Sequence, residues 1–151
     1  MPRTAQQQLD AMAVADTLRP TLLRLARELR QEKIAGVSPH QVGLLISIKY
    51  TPGITVGQLA AEERVSTAAM SKRVSRLERD GLVARTKSEA DRRCTGLTLT
   101  EDGQRTLRRV RSRRTAYLAS RLGALTPDEL AAVGAAAGPL ARLLEGKKVR
   151  A

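Results

Sequence analysis

Apolar positions along the chain fall into two periods, and the change between them divides the molecule. From Leu9 to Ile34, Leu18, Leu22, Leu25 and Leu29 recur at steps of three and four, with Leu23 and Ala26 widening the stripe. That spacing predicts a long amphipathic helix. Pro20 lies inside it and predicts a kink or a division, because proline has no amide hydrogen to give to the preceding turn. Gly36 closes this segment. Ser38-Pro-His-Gln41 then has the form of a capping box with proline at the first helical position. The helix it opens is apolar on most faces (Val42, Leu44, Leu45, Ile46, Ile48), so it should be buried, and Pro52-Gly53 stops it. Thr55 with Gln58 forms a second capping box for a short helix to Glu63. A tight turn at Arg64-Val65 leads to Ser66, which caps a helix ending at Asp80-Gly81.

There the period drops from 3.6 to 2. Residues 82–87 and 97–100 read as two short strands around a polar loop, Ser88 to Gly96. Thr100 caps a long helix from Glu101 to about Leu122, and Thr126-Pro-Asp-Glu129 opens a last one carrying Leu130, Val133, Leu140, Leu143 and Leu144. Pro139 predicts a kink in it, and a basic tail follows from Gly146. The fold class is therefore mainly α with a small β-wing. The order helix–helix–turn–helix–strand–strand, with long helices at both ends, fits a winged helix-turn-helix. The expected organisation is an N-terminal helix at residues 1–36, a winged unit at 37–102 and C-terminal helices at 103–151.

Composition narrows the class. The 151 residues include no Phe or Trp, and Tyr50 and Tyr117 are the aromatics. The core must be built from Leu, Val, Ile and Ala. Lys and Arg number 27 against 15 acids, a net charge of +12. Such an excess points to an anionic partner, with solubility charge as the plain alternative. Cys94 is the lone cysteine, which excludes an intrachain disulfide and a cysteine zinc site. The polar N-terminus lacks a signal peptide's apolar run, and no stretch nears the roughly 20 apolar residues of a membrane span. A cytoplasmic protein with no cofactor, metal or membrane association is expected. One His, one distant Cys and no glycine-rich phosphate loop argue against an enzyme.

The helix from Ser66 to Asp80 carries the candidate chemistry. At about 100° per residue, Met70, Val74 and Leu77 fall together on the core side. Ala68, Lys72, Ser75, Arg76 and Arg79 lie opposite, with Ser71 and Arg73 on the flanks. Small residues near its start, Ser66, Thr67 and Ala68, let the backbone approach base edges. Lys72 and Arg76 can reach guanine O6 and N7 or phosphate oxygens. A solvated amphipathic helix would look similar. The wing separates the two readings: Arg85, Lys87 and the tip Asp91-Arg92-Arg93 follow directly, and a hairpin tip with arginines suits a minor groove. Double-stranded DNA is the expected partner. Charge is not concentrated on this helix, however. Residues 61–100 hold nine basic and six acidic side chains, whereas residues 101–121 hold seven basic and two acidic.

The stretch Ser66 to Val83, then Asp91-Arg92-Arg93, then Leu97-Thr-Leu-Thr-Glu-Asp-Gly103 resembles the MarR family pattern of recognition helix, "LExxGLV", "DRR" and "LTxxG". The resemblance implies a homodimer whose N- and C-terminal helices form the interface, binding a pseudo-palindromic operator, often as a repressor. The position of Lys72 is commonly arginine in the family, and that of Arg73 more often apolar. The family also implies release by a small-molecule effector, held in a pocket that His40 and Tyr50 could border, although both also suit plain packing at helix ends. Cys94, beside Arg92 and Arg93, is a candidate redox switch or an ordinary loop residue. A non-specific architectural DNA-binding protein and a membrane-surface or protein-binding helical module are the remaining alternatives.

Overall fold

The computed structural model describes residues 5–87 and 95–145. It divides into two units, Met1–Glu32 and Lys33–Ala151. The first holds one helix, α1 (Ala5–Gln31), which runs unbroken through Pro20. The expected division is thus absent. Propagating an existing helix is far easier than nucleating one, and the flanking Leu, Arg and Ala residues are strong helix formers, so a single missing hydrogen bond does not end it.

The second unit contains α2 (Pro39–Tyr50), β1 (Ile54–Thr55), α3 (Val56–Glu62), α4 (Thr67–Arg79), β2 (Val83–Lys87), β3 (Thr95–Leu99), α5 (Glu101–Leu122) and α6 (Pro127–Arg142). The expected caps form. Ser38 with Gln41, Thr55 with Gln58 and Thr126 with Glu129 are reciprocal capping boxes, and Ser66 and Thr100 accept from the third helical amide. Helix α6 continues through Pro139.

The three strands form one antiparallel sheet in the order β1-β3-β2. β2 and β3 are the expected hairpin, pairing from Val83–Leu99 out to Lys87–Thr95. β1 was not expected. Its two residues pair Ile54 with Leu97 and Thr55 with Gly96. Two residues cannot show a period, and Thr55 also serves as the cap of α3.

One aliphatic core joins these elements. Leu44, Leu45 and Ile48 of α2, Leu59 of α3, Met70, Val74 and Leu77 of α4, and Ile54 and Leu97 of the sheet are almost completely enclosed. The start of α5 belongs to the same core, through Thr106, Leu107 and Val110. Gly103 makes this docking possible. A Cβ there would collide with the Leu82 carbonyl oxygen.

Two predictions follow from this packing. Gly103→Ala must push α5 away from Leu82 and should destabilise the fold by about 1–3 kcal/mol, as overpacking does; a thermal or denaturant melt with unchanged stability would refute the close contact. The Glu129 carboxyl is held below its ordinary value of 4.5 by the Thr126 amide hydrogen bond first and the Thr126 hydroxyl second. A lowered folded-state value means stabilisation that is present above the unfolded value and lost as pH falls through the folded one. Protection of the Thr126 amide against hydrogen exchange, corrected for its intrinsic pH dependence, should fall as pH drops below 4.5, and Glu129→Gln should remove that dependence.

Candidate nucleic-acid interface

Helix α3, a tight turn and α4 form the helix-turn-helix. The turn is closed by two amides, Val65 N–H donating to the Ala60 carbonyl and Arg64 N–H to that of Ala61. This is the paired pattern of a Schellman ending, with Arg64 at the left-handed position, φ 53°. A non-glycine residue there costs about 1 kcal/mol. The close of α4 repeats the pattern, Leu82 N–H to Leu77 and Gly81 N–H to Glu78, with Gly81 at φ 73°. Both ends of the second helix are therefore fixed by backbone geometry.

Its rotation is fixed by the core. Met70, Val74 and Leu77 are each 0% exposed. That leaves Thr67, Ala68, Lys72 and Arg76 exposed and Ser71, Arg73 and Ser75 half-buried. The Ser66 hydroxyl accepts from the Ala69 amide, so it is engaged as a cap. The distribution matches the expected wheel, with small residues at the start and cations in the middle turns. Lys72, Arg73 and Arg76 have no acidic partner among the described residues, whereas Arg105 is paired with Asp102 at 2.9 Å and Arg108 with Glu101 at 3.0 Å. The arginine excess on α5 is thus partly answered by its own first turn.

The wing is tied to this helix by a contact that sequence reasoning missed. Arg85 Nε donates to Glu78 Oε1 at 2.9 Å, joining β2 to the last turn of α4. An Arg three rungs along a strand and a Glu on a helix end carry no shared periodicity, so no pattern announced the pair. Arg85 acts here first as a brace. Lys87 is exposed at the outermost described rung, opposite Thr95. The proposed tip residues Asp91, Arg92 and Arg93, and Cys94, lie outside the described residues.

His40 and Tyr50 stand at opposite ends of α2 and line different hollows. His40 borders a depression of about 250 Å³ with Ser38, Gln41, Leu44, Arg73 and Arg76. Tyr50, 73% exposed, borders a groove of about 340 Å³ between α2 and α5, floored by Ile46, Leu107 and Val110 and rimmed by Lys49, Arg108, Arg111 and Arg114. Among the described residues no cluster of metal-ligating side chains occurs and no helix is long and apolar enough to cross a membrane.

Comparison with known proteins places this architecture. The MarR family model matches residues 37–95, which span α2 through the start of β3. The transcriptional repressor MdtR of Bacillus subtilis is 32% identical over 123 residues, covering 82% of this chain and 76% of that protein. A transcriptional regulator of Thermotoga maritima has the same fold at a TM-score of 0.76 and 24% identity, with 89% of this chain and 95% of the other covered. FabT of Streptococcus pneumoniae, solved in complex with DNA, gives a TM-score of 0.53 at 23% identity, with 93% and 97% covered. A helix-turn-helix with its second helix locked by the core, a hairpin wing braced against that helix, and this degree of likeness lead to one assignment: the chain belongs to the MarR family of DNA-binding transcriptional regulators.

Proposed function

We propose that the protein is a repressor, working in the cytoplasm as a homodimer on a pseudo-palindromic operator in double-stranded DNA. The observation that carries this reading is the outer face of α4, where Lys72 and Arg76, with Arg73 on the flank, have no acidic partner among the described residues, on a helix whose ends are fixed by backbone hydrogen bonds and whose rotation the core sets. Rigid presentation is what base reading requires, because a hydrogen bond to a base edge discriminates only if the donor cannot shift to another. In this reading Ser66, Thr67, Ala68, Ser71, Lys72, Ser75 and Arg76 face the major groove. Lys87, Arg92 and Arg93 serve the neighbouring backbone or minor groove, with Asp91 orienting an arginine and Arg85 bracing the wing.

The homodimer is supported by apolar surface left open on a single chain. On α1, Leu18, Leu22 and Leu23 are exposed, as are Leu130 and Val133 of α6 and Leu143 and Leu144 beyond it. No residue of α6 is buried. Segments 1–36 and 103–151 are thus assigned to dimerisation and 37–102 to DNA binding. MdtR is named a repressor and FabT was solved with DNA, which accords with this reading. The groove beside Tyr50, apolar below and cationic at its rim, suits an aromatic acid as a releasing effector.

Selection of genomic fragments by the purified protein tests the function. A short inverted repeat is the expected result; uniform retention of all fragments, with a steep salt dependence, would instead establish an architectural DNA-binding protein. On the selected operator, Lys72→Ala and Arg76→Ala should each cost about 1–3 kcal/mol and relax specificity at one base position. Arg93→Ala should weaken binding to all sequences alike. Affinities unchanged in all three variants would overturn the residue assignments.

A further inference from the structure

Arg73 is the member of α4 that base reading leaves unexplained. It stands on the flank of the helix, half-buried, turned away from the face that carries Ala68 and Lys72. The structure supplies its surroundings. Arg73 and Arg76 form one wall of the depression whose other wall is the first turn of α2, with His40, Ser38 and Gln41, and whose floor includes Leu44. The polar groups of that first turn are largely committed. The Ser38 hydroxyl accepts from the Gln41 amide, the Ser38 amide donates to Gln41 Oε1 at 2.8 Å, and Gln41 Nε2 donates to Asp80 Oδ2 at 3.4 Å. What remains to meet a ligand is the His40 imidazole and two guanidinium groups. Asp80 accepts from Gln41 and is not paired with either arginine.

We propose that this depression receives one phosphodiester group of the bound DNA, beside the groove that α4 enters. The inference rests on the regulator reading and extends it from the base-reading face to His40 and the flank position Arg73. Three considerations carry it. Its arginine wall belongs to α4, and in the regulator reading that helix lies in the major groove, so its flank would face a bordering sugar–phosphate backbone. The Arg73 guanidinium and the His40 imidazole N–H make a donor set suited to an oxyanion, and planar guanidinium pairs well with phosphate oxygens. Partial burial of Arg73 in a depression shared with α2 restricts the side chain before DNA arrives, which lowers the entropy lost on binding. The site would hold the protein in register along the duplex without reading sequence.

The test is the salt dependence of operator affinity. Each phosphate contact adds nearly one to the slope of log affinity against log salt. Arg73→Gln should reduce the slope by about one per protomer and weaken operator and random DNA by the same factor, whereas Arg73→Lys should retain most of the slope. His40→Ala should weaken binding with a smaller change in slope. Operators carrying single methylphosphonates should reveal one phosphate per half-site whose neutralisation weakens the wild type and leaves Arg73→Gln unaffected. Circular dichroism melts establish that each variant is folded. A wild type that binds its operator while folded Arg73→Gln keeps the full slope overturns the phosphate site and leaves the regulator reading standing. A wild type that binds no duplex overturns both. Saturable binding of free inorganic phosphate at His40, with the slope unchanged, would replace the DNA phosphate with a small anion.

Discussion

The carbonyl of Leu82 is the point through which the interface is assembled. It lies just past α4, where the amide of Leu82 donates back to Leu77 and closes the helix. The carbonyl accepts the amide of Thr100, which brings the far end of β3 alongside the start of β2. Thr100 in turn caps α5, its hydroxyl donates to the Gly81 carbonyl, and Gly103 lies so near the Leu82 carbonyl that no side chain fits between them. Four elements thus meet within a few residues. The angle between α4 and the wing, and the direction in which α5 leaves, are set together. Any larger residue at Gly103 would move α5 against the helix that presents Lys72 and Arg76. The "LTxxG" segment of the sequence is therefore a packing motif.

Charge divides along the same lines. Acidic groups answer the cations that hold the fold: Glu78 answers Arg85, Asp102 answers Arg105 and Glu101 answers Arg108. These pairs are at least partly exposed, and each contributes on the order of 1 kcal/mol or less. Their larger consequence is to neutralise arginines that would otherwise compete for phosphate. The cations of α4 have no acidic partner among the described residues, so the excess charge that matters for an anionic partner is better located by partners than by counts. By count the richest segment is α5, but its own first turn answers Arg105 and Arg108, whereas none of the four cations of α4 has an acidic partner among the described residues.

What was legible in the sequence was local. Ser38, Thr55, Ser66, Thr100 and Thr126 each announce a helix start because a cap and its amide lie within three residues. Met70, Val74 and Leu77 announce the rotation of α4 because helical spacing repeats within the segment. What was not legible depends on distant partners. Strand β1 exists because Ile54 meets Leu97 across the fold, and two residues offer no pattern of their own. The Glu78–Arg85 brace and the placement of His40 opposite Arg73 arise from how α2, α4 and β2 pack. Of the kink or division that Pro20 predicts, the division is absent, because the helix on either side outweighs the local penalty. His40 and Tyr50 share a helix, yet its length sends them to separate hollows.

The limit on what one recognition helix can do ties the apolar arms to the reading head. A helix crossing the major groove contacts only a few base pairs, and each mismatch costs roughly 1–3 kcal/mol. One copy would therefore separate an operator from random DNA by a small factor, while its phosphate contacts would favour both equally. Two copies held by their terminal helices roughly double the sequence-dependent part, because half-sites add when their spacing matches the dimer. The exposed leucines of α1 and the unburied face of α6 are costly to leave in water. Covering them with a second copy, as in the proposed dimer, would stabilise the arms and fix the distance between two α4 helices at once. In the proposed dimer, a ligand lodged beside Tyr50 would act on that distance, since the groove lies between α2 of the reading unit and the arginine-rich α5 that leads into the dimer arms.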